Sequence, residues 1–237
     1  MIRDLKETIK GKKKAITFSF DDGVGQDERT IEILAEYGLK ATFNLNSGRF
    51  GQEFPFDHNG KRIERQICAE NRIKDIYKDH EIAVHTVNHK NLTALSKKEI
   101  IEEVVEDQKR LEDLCGYEII GMAYPCGGVN NDDRVAEIIR ENTGIKYSRT
   151  ITSNYNFDLQ NNLLRFDPTV HIKYEKLFET GEKFIELKTE SPKILYVWGH
   201  TYEFDMIENG WERFEEFCAL ISGKDDIFYG TNREVLL

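Results

Sequence analysis

The stretch KAITFSFDDG, residues 14–23, is the most informative segment of this chain for its fold class. Its apolar and hydroxyl side chains alternate with a period of two, which predicts a strand over Lys14–Phe20. The strand runs directly into Asp21-Asp22-Gly23, an acidic pair followed by a residue typical of turns. A buried strand that ends in two carboxylates predicts a site at its carboxyl end.

Six more strand-like runs follow, and helical patterns separate them. The further predicted strands are Ala41–Leu45, Glu81–His85, Gly121–Tyr124, Ile145–Thr150, Ile194–Trp198 and Ile227–Tyr229. The predicted helices are Asp27–Tyr37, Gln66–Lys78, a capped helix from Ser96 to Leu114, Asp132–Gly144, Tyr174–Leu187 and Trp211–Ile221, and residues 151–172 are expected to be irregular. Seven strands alternating with helices predict an α/β fold with a parallel sheet, either a barrel or an open sheet. We expect one domain over residues 1–237.

Composition excludes several classes of protein. Lys and Arg total 33 and Asp and Glu total 43, so the net charge is −10 and nucleic acid is not an expected partner. No run approaches the roughly 20 apolar residues that span a bilayer, so we expect no membrane association. The four cysteines form no CxxC pair, and we expect reduced thiols. Met1–Glu7 lacks the apolar segment of a signal peptide, so we expect a cytoplasmic protein, or a secreted one if a leader precedes it.

The residues at the ends of the predicted strands form a candidate metal site. His85 closes the third strand and His89 follows four residues later, a spacing that places both imidazoles on one side of a turn. Two histidines and one carboxylate leave open positions on a divalent ion, as catalytic sites require. Neighbouring residues of an extended strand point to opposite faces, so one of Asp21 and Asp22 binds the metal while the other acts as a base. His200, at the end of the sixth strand, is either a general acid or a buried structural histidine.

These residues resemble motifs of the NodB-like polysaccharide deacetylases, the family 4 carbohydrate esterases. Residues 19–23 (SFDDG) are similar to the first motif, T-F-D-D-G, and residues 85–89 (HTVNH) to the second, H-S/T-x-x-H. The segments KATF (40–43) and HEIA (80–83) also resemble the family, and the resemblance covers roughly residues 13 to 230. It implies a single distorted (β/α)7 barrel and metal-dependent removal of acetyl groups from N-acetylated or O-acetylated saccharides.

The resemblance also implies a role for each motif residue. Asp21 corresponds to the general base and His200 to the general acid. Asp22, His85 and His89 correspond to the metal ligands, usually for zinc and sometimes for cobalt or nickel.

The chain departs from the family in its third and fourth motifs. The third motif normally supplies an arginine that tethers the base, but Ala123 stands there, and Arg149 is either its replacement or part of a surface salt bridge. Tyr124 is a candidate to support or stack on the substrate, with core packing as the alternative. Cys126 stands where the family has the tyrosine whose backbone N–H helps to form an oxyanion hole. The fourth motif, D-x-x-D-W, is missing as such.

Several polar residues are candidates to support His200 or the substrate. They are Asp158, Asp167, His171 and Glu203, and for each the alternative is a solvated loop side chain.

Three alternative functions remain open. The same scaffold could carry an amidohydrolase of a cyclic imide or ureide, because the arginine and the fourth motif differ. A non-catalytic carbohydrate-binding protein is a second alternative, and a two-histidine, one-carboxylate iron oxygenase is a third, although such sites normally lie on antiparallel β-scaffolds. The sequence does not predict the oligomeric state.

Overall fold

A computed structural model describes residues 11–237 of the chain, and ten strands form two sheets. The strands are β1 (Lys14–Asp21), β2 (Ala41–Leu45), β3 (Phe56–His58), β4 (Lys61–Ile63), β5 (Glu81–Val84), β6 (Gly121–Ala123), β7 (Tyr147–Arg149), β8 (Val170–His171), β9 (Lys193–Gly199) and β10 (Ile227–Tyr229). The α-helices are α1 (Gln26–Glu36), α2 (Ile73–Ile76), α3 (Lys97–Cys115), α4 (Asp133–Asn142), α5 (Leu177–Glu186), α6 (Gly210–Ile221) and α7 (Asn232–Leu236).

Eight strands form a curled parallel sheet, and β1 lies near its centre. The order is β7-β6-β5-β2-β1-β9-β8, with β10 beside the first half of β1 and β2 beside the second half. Within residues 11–237 no ladder joins the edge strands β7 and β8, so the curled sheet is a half-barrel. The predicted distorted barrel of parallel strands is confirmed in this open form.

The two faces of β1 serve different purposes. Phe18 and Phe20 point outward and pack edge-on against Phe214 of α6, with ring centroids about 6.1 Å apart in both pairs. Burying large aromatic side chains supplies much of the hydrophobic stabilisation of such a layer. The apolar alternation that predicted the strand therefore marks its helix-facing side.

The opposite face of β1 is polar and lines the interior of the half-barrel. The Thr17 hydroxyl donates to Asn232 Oδ1 of α7 (2.8 Å), and the Ser19 hydroxyl accepts from the guanidinium of Arg149 (3.1 Å). Asp21 belongs to the same face, because it follows Ser19 by two positions. Its carboxylate is therefore buried inside the half-barrel rather than between sheet and helices.

Most predicted elements are present within one to three residues of their predicted ends. The capping box at Ser96 is formed with Glu99, and α3 ends at Gly116, which has a left-handed φ of +80°.

The predicted helix over Gln66–Lys78 was wrong in length. Residues 66–68 lie in extended backbone, where the N–H of Cys68 donates to Gly23 O (2.8 Å), and only a 3-10 turn (Glu70–Arg72) and α2 are helical. The sequence reading also missed the hairpin β3–β4, the strand β8 and α7. Each of these elements is five residues or fewer, too short for periodicity to reveal.

Two sequence expectations concern the chain's ends and membranes. The stretch Met1–Glu7, on which the expected location rests, lies outside the described residues. Among residues 11–237, none of the helices combines the length and the apolar character needed to cross a bilayer.

Candidate functional site

The polar residues predicted from strand ends converge at the carboxyl-terminal edge of the sheet. They surround a cavity of about 180 Å³. It is lined by Asp21, Asp22, Arg65, His85, His89, Tyr124, Cys126, Gly127, Ile151, Trp198, His200 and Tyr202. Larger cavities lie elsewhere: two, of about 440 and 410 Å³, are at the amino-terminal ends of the strands, and one of about 310 Å³ lies between Arg140 and Leu163. Both groups of potential metal ligands found within residues 11–237 are at the carboxyl-terminal edge, so chemistry rather than volume identifies the site.

Asp21 is held by a fully buried arginine. One terminal nitrogen of Arg149, Nη2, contacts both carboxylate oxygens, and Asn44 Nδ2 donates to Oδ1 (2.8 Å). Burial would raise the pKa of Asp21, but the charge of Arg149 and the hydrogen bonds that it donates outweigh burial and lower the pKa. Asp21 is therefore ionised at neutral pH. Arg149 is 0% exposed, so the alternative of a surface salt bridge is wrong for this residue.

Asp22, His85 and His89 form a group suited to a divalent ion. Their ligand atoms all lie within 4.8 Å of one another, and Asp22 Oδ1 is 3.4 Å from His89 Nε2 and 3.9 Å from His85 Nε2. Asp22 Oδ1 is buried and has no hydrogen-bond partner among the described residues, an arrangement that costs free energy unless another atom binds there.

The two imidazoles are also prepared for metal binding. His85 Nδ1 lies 2.9 Å from the carbonyl oxygen of Ala123, which fixes the tautomer that leaves Nε2 free. Burial lowers the pKa of His85 and that of His89, the latter to about 4, so both rings are neutral at pH 7. Neutral nitrogens and an unpaired carboxylate oxygen are the donor set that zinc and related ions require, so these residues fit a metal.

Backbone strain is concentrated at this group. Asp22, Thr86, His89 and Cys126 all have φ between +57° and +79°, the left-handed region that residues other than glycine rarely adopt. Such conformations cost about 1–3 kcal/mol each and persist where the surroundings enforce them, typically at functional sites. With this backbone, both carboxylates reach the same cavity: Asp21 Oδ2 and Asp22 Oδ1 lie 4.0 and 3.9 Å from His85 Nε2.

His200 lies opposite Asp21, beside a buried glutamate. Its Nε2 is 4.0 Å from Asp22 Oδ2, its Nδ1 is 3.6 Å from Glu203 Oε1, and its backbone N–H donates to Glu203 Oε2 (3.1 Å). Burial would lower the pKa of His200, but Glu203 and then Asp22 outweigh it and raise the pKa to about 9. His200 is therefore a cation at neutral pH, as a proton donor must be.

Glu203 also binds two further cationic or basic groups. Lys173 Nζ is 2.8 Å from Oε1, and His171 Nε2 is 3.3 Å from Oε2. Burial would raise the pKa of Glu203, but His200 and these neighbours lower it to about 2. His171, Glu203 and His200 therefore form one contiguous group.

The segment that corresponds to the third motif, around Tyr124 and Cys126, contributes backbone groups to the site more than side-chain groups. The hydroxyl of Tyr124 donates to Leu164 O (2.8 Å) in the core, although Tyr124 also lines the cavity. Cys126 Sγ lies 3.3 Å from the His89 carbonyl oxygen, while its backbone N–H donates to no other described residue. That free N–H beside the metal group is a donor available to a substrate oxygen.

Asp158 does not join the site, so its predicted role is corrected. It is a half-exposed residue that pairs with Lys193 near the start of β9, at the other end of that strand from His200. Asp167 accepts from the hydroxyl of Thr150 and likewise makes no contact with His200. Glu203, three residues after His200, takes the position that these aspartates were expected to fill.

Sequence reasoning missed the residues that hold the site loops. Asn46 Nδ2 donates to the carbonyl oxygens of His85 and Thr86 (2.5 and 2.8 Å). Asp107 of α3 accepts from the backbone N–H groups of His85 (3.1 Å) and Ser47 (2.7 Å). A signal was present for Asp107, because it is a charged residue on the apolar face of an amphipathic helix.

Comparison with known proteins assigns the chain to the same family that its motifs resemble. A family model described as "Polysaccharide deacetylase" matches residues 8–147, more than half of the chain. The matched region contains Asp21, Asp22, His85 and His89 and ends before Arg149.

Individual relatives are more distant. The peptidoglycan-N-acetylmuramic acid deacetylase PdaC of Bacillus subtilis is 28% identical over 131 residues, covering 54% of this chain and 25% of that protein. The chitooligosaccharide deacetylase of Azorhizobium caulinodans is 32% identical over 106 residues, covering 44% of this chain and 43% of that protein. The chain thus aligns with less than half the length of either curated relative.

The fold is shared with solved structures over nearly the whole chain. A family 4 carbohydrate esterase from Streptomyces lividans in complex with acetate superimposes with a TM-score of 0.56 at 13% identity, covering 92% of this chain and 93% of that one. At this identity the similarity concerns the fold alone.

Proposed function

Because the chain belongs to the polysaccharide deacetylase family, we propose that it is a metal-dependent hydrolase that removes acetyl groups from an acetylated saccharide. The observation that carries the proposal is the convergence of three metal-ligand side chains, within 4.8 Å of one another, beside a buried and ionised aspartate. Metal-assisted hydrolysis of an amide or ester uses a metal ion together with a base that takes a proton from water.

Asp22, His85 and His89 would hold the metal, which we expect to be zinc, with cobalt and nickel as further possibilities. A divalent ion bound there would polarise an acetyl carbonyl and lower the pKa of water. Asp22 Oδ1, which has no hydrogen-bond partner among the described residues, and the free Nε2 of His85 support this assignment.

Asp21 would act as the general base. Its carboxylate faces the interior of the half-barrel and lies 4.0 Å from His85 Nε2, so it borders the place where water would be activated. Arg149 keeps Asp21 ionised and fixes its orientation, as the tethering arginine of the family does from another position in the chain. This pairing removes one of the two reasons for the imide amidohydrolase alternative.

The oxyanion formed by attack on the carbonyl would accept a hydrogen bond from the Cys126 N–H. That donor is free, and its left-handed backbone conformation is held by the surrounding loop. A fixed donor lowers the energy of a developing negative charge because it needs no reorganisation.

His200 would donate the proton to the leaving amine or alcohol. Glu203 would be a positioning residue, since it contacts both the ring and the backbone N–H of His200. His171 and Lys173 would in turn fix the carboxylate of Glu203. The proposed substrate class, acetylated saccharides with N-acetyl or O-acetyl groups, is taken from the family.

The proposal is tested by metal analysis together with acetate release. The protein is stripped with a chelator, reloaded with zinc, cobalt or nickel, and assayed on N-acetyl and O-acetyl oligosaccharides in competition with a cyclic imide. We expect about one metal ion per chain, metal-dependent acetate release, and loss of turnover in Asp21→Asn with metal still bound. Near wild-type turnover of metal-loaded Asp21→Asn, or release of product from the imide alone, would contradict the proposal.

A further inference from the structure

Two arginines border the candidate site on the side of the hairpin β3–β4. Arg65 lines the cavity, and its Nη1 is 3.9 Å from Asp22 Oδ2. The guanidinium groups of Arg65 and Arg49 lie 5.4 and 4.9 Å from the centroid of the same ring, Phe54. Arg65 also lies 5.5 Å from the ring of Tyr202, which contacts His200. Aromatic contacts of this kind hold both cations in place, Arg65 at the cavity wall and Arg49 on the Phe54 ring that the two share.

The hydrogen-bonding capacity of these two cations is not filled by the described residues. Arg65 Nε is buried and has no hydrogen-bond partner among the described residues. The guanidinium of Arg49 makes neither a hydrogen bond nor an ion pair with any residue in the described range 11–237. An unpaired buried donor costs about 1–3 kcal/mol, so the arrangement is favourable when an acceptor from outside the chain binds.

Asp22 does not satisfy Arg65. The 3.9 Å separation is longer than a hydrogen bond, and Asp22 is the carboxylate we assign to the metal. The exposed arginine Arg62, on β4, contrasts with this pair because it is already matched with Glu64 at 2.8 Å. In a chain with a net charge of −10, guanidinium groups with unfilled hydrogen-bonding capacity beside the catalytic cavity are a specific local feature.

We propose that Arg49 and Arg65 form an anion subsite, which binds a carboxylate or phosphate group carried by the acetylated saccharide. The inference rests on the proposed function, because it specifies the substrate of the same site. The planar guanidinium matches the geometry of both anions, and a carboxylate and a phosphate offer the same kind of oxygen acceptors. Because Arg65 lies against Asp22, the anionic group belongs on the acetylated sugar or on its immediate neighbour.

The test compares charged and neutral forms of one saccharide. The probes are O-carboxymethylated N-acetylchitotriose, its methyl ester, and an O-phosphorylated N-acetylchitotriose. Metal-loaded wild type, Arg65→Gln, Arg49→Gln and the control Arg62→Gln are assayed for kcat/KM by acetate release. Binding of the same probes to metal-loaded Asp21→Asn, alone and combined with Arg65→Gln, is measured by calorimetry.

We expect the wild type to prefer the carboxylate over its ester by about ten- to a hundredfold, the range for charge-assisted hydrogen bonds to a guanidinium. This ratio should fall towards one in Arg65→Gln, fall in part in Arg49→Gln, and persist in Arg62→Gln. A higher kcat/KM for the phosphorylated probe would assign phosphate as the anion, and a lower one would assign carboxylate.

Other outcomes separate the two proposals. Equal kcat/KM for acid and ester, or a ratio unchanged in both Arg65→Gln and Arg49→Gln, would overturn the anion subsite and leave the deacetylase assignment intact. Absence of acetate release from every probe would contradict the deacetylase assignment instead. In that case tighter binding of the acid than of the ester, lost with Arg65→Gln, would still support the subsite, and equal binding would overturn it.

Discussion

Replacing Arg149 with methionine should destabilise the fold chiefly because it leaves Asp21 buried without a counter-charge. Both side chains are at most 2% exposed. Arg149 also donates to the Ser19 hydroxyl (3.1 Å) and to the carbonyl oxygen of Thr150 (2.9 Å), and it stacks on Trp198 at 4.7 Å. Methionine retains most of the aliphatic volume and removes the charge.

The expected magnitude follows from the burial of the pair. Removing one partner of a buried ion pair costs about 3–5 kcal/mol, because the other charge stays in a medium of low polarity. A domain of this size has a total stability of about 5–15 kcal/mol, so the variant remains folded with a melting temperature lower by about 10 °C. Adding Asp21→Asn removes the stranded charge, so the double variant should be more stable than Arg149→Met alone.

The assay is urea unfolding of the two single variants, the double variant and wild type, with chelator present so that metal binding does not contribute to stability. Arg140→Met serves as the control, because Arg140 and its partner Glu137 are each about half exposed, and it should change stability by less than about 0.5 kcal/mol. A loss below about 1 kcal/mol in Arg149→Met, or no recovery in the double variant, would refute the reasoning.

Three further predictions concern other parts of the site and its support. Glu203→Gln should lower kcat about ten- to a hundredfold with little change in KM, because His200 loses its orienting charge, while Glu208→Gln on the exposed loop should match wild type. His89→Ala should weaken zinc affinity by more than about a hundredfold, measured by competition with a chelator. Burial raises the pKa of Asp27 to about 7 against about 3.8 in the unfolded chain, so its proton is held by the native state and stability falls as pH rises between these values. Asp27→Asn should remove a slope of about 1.4 kcal/mol per pH unit over that window, read from urea unfolding at several pH values.

Local patterns in the sequence were sufficient for the long elements. β1 was predicted because its side chains alternate, and α3 because Ser96, Glu99 and Gly116 mark its ends. The helix predicted over residues 66–78 was too long. The apolar spacing of this segment suits a helix, but the backbone N–H groups of Ile67 and Cys68 donate to the carbonyl oxygens of Gln52 and Gly23 instead. Competition between local preference and pairing with distant backbone cannot be resolved from the segment itself.

Some residues of the candidate site could likewise be predicted from local sequence, and others could not. Asp21, Asp22, His85 and His89 lie in two short motifs, so their grouping was readable from the sequence and from its resemblance to a family. Glu203 was one of several acidic candidates, and Asp158 was equally plausible until the structure located it beside Lys193. Acidic residues in loops cannot be distinguished from the sequence alone, because the local sequence does not determine the direction in which a loop turns.

The sequence alone was enough to predict the order of the long strands and helices, the acidic pair at the end of β1 and the two histidines near that pair. The tertiary structure decided which charges meet. Arg149 contacts Asp21 although 128 positions of the chain separate them, and Arg65, two residues after β4, lies 3.9 Å from Asp22. Electrostatic partners are fixed by distance and burial in space, and these depend on how the parallel sheet curls and closes its polar face inward.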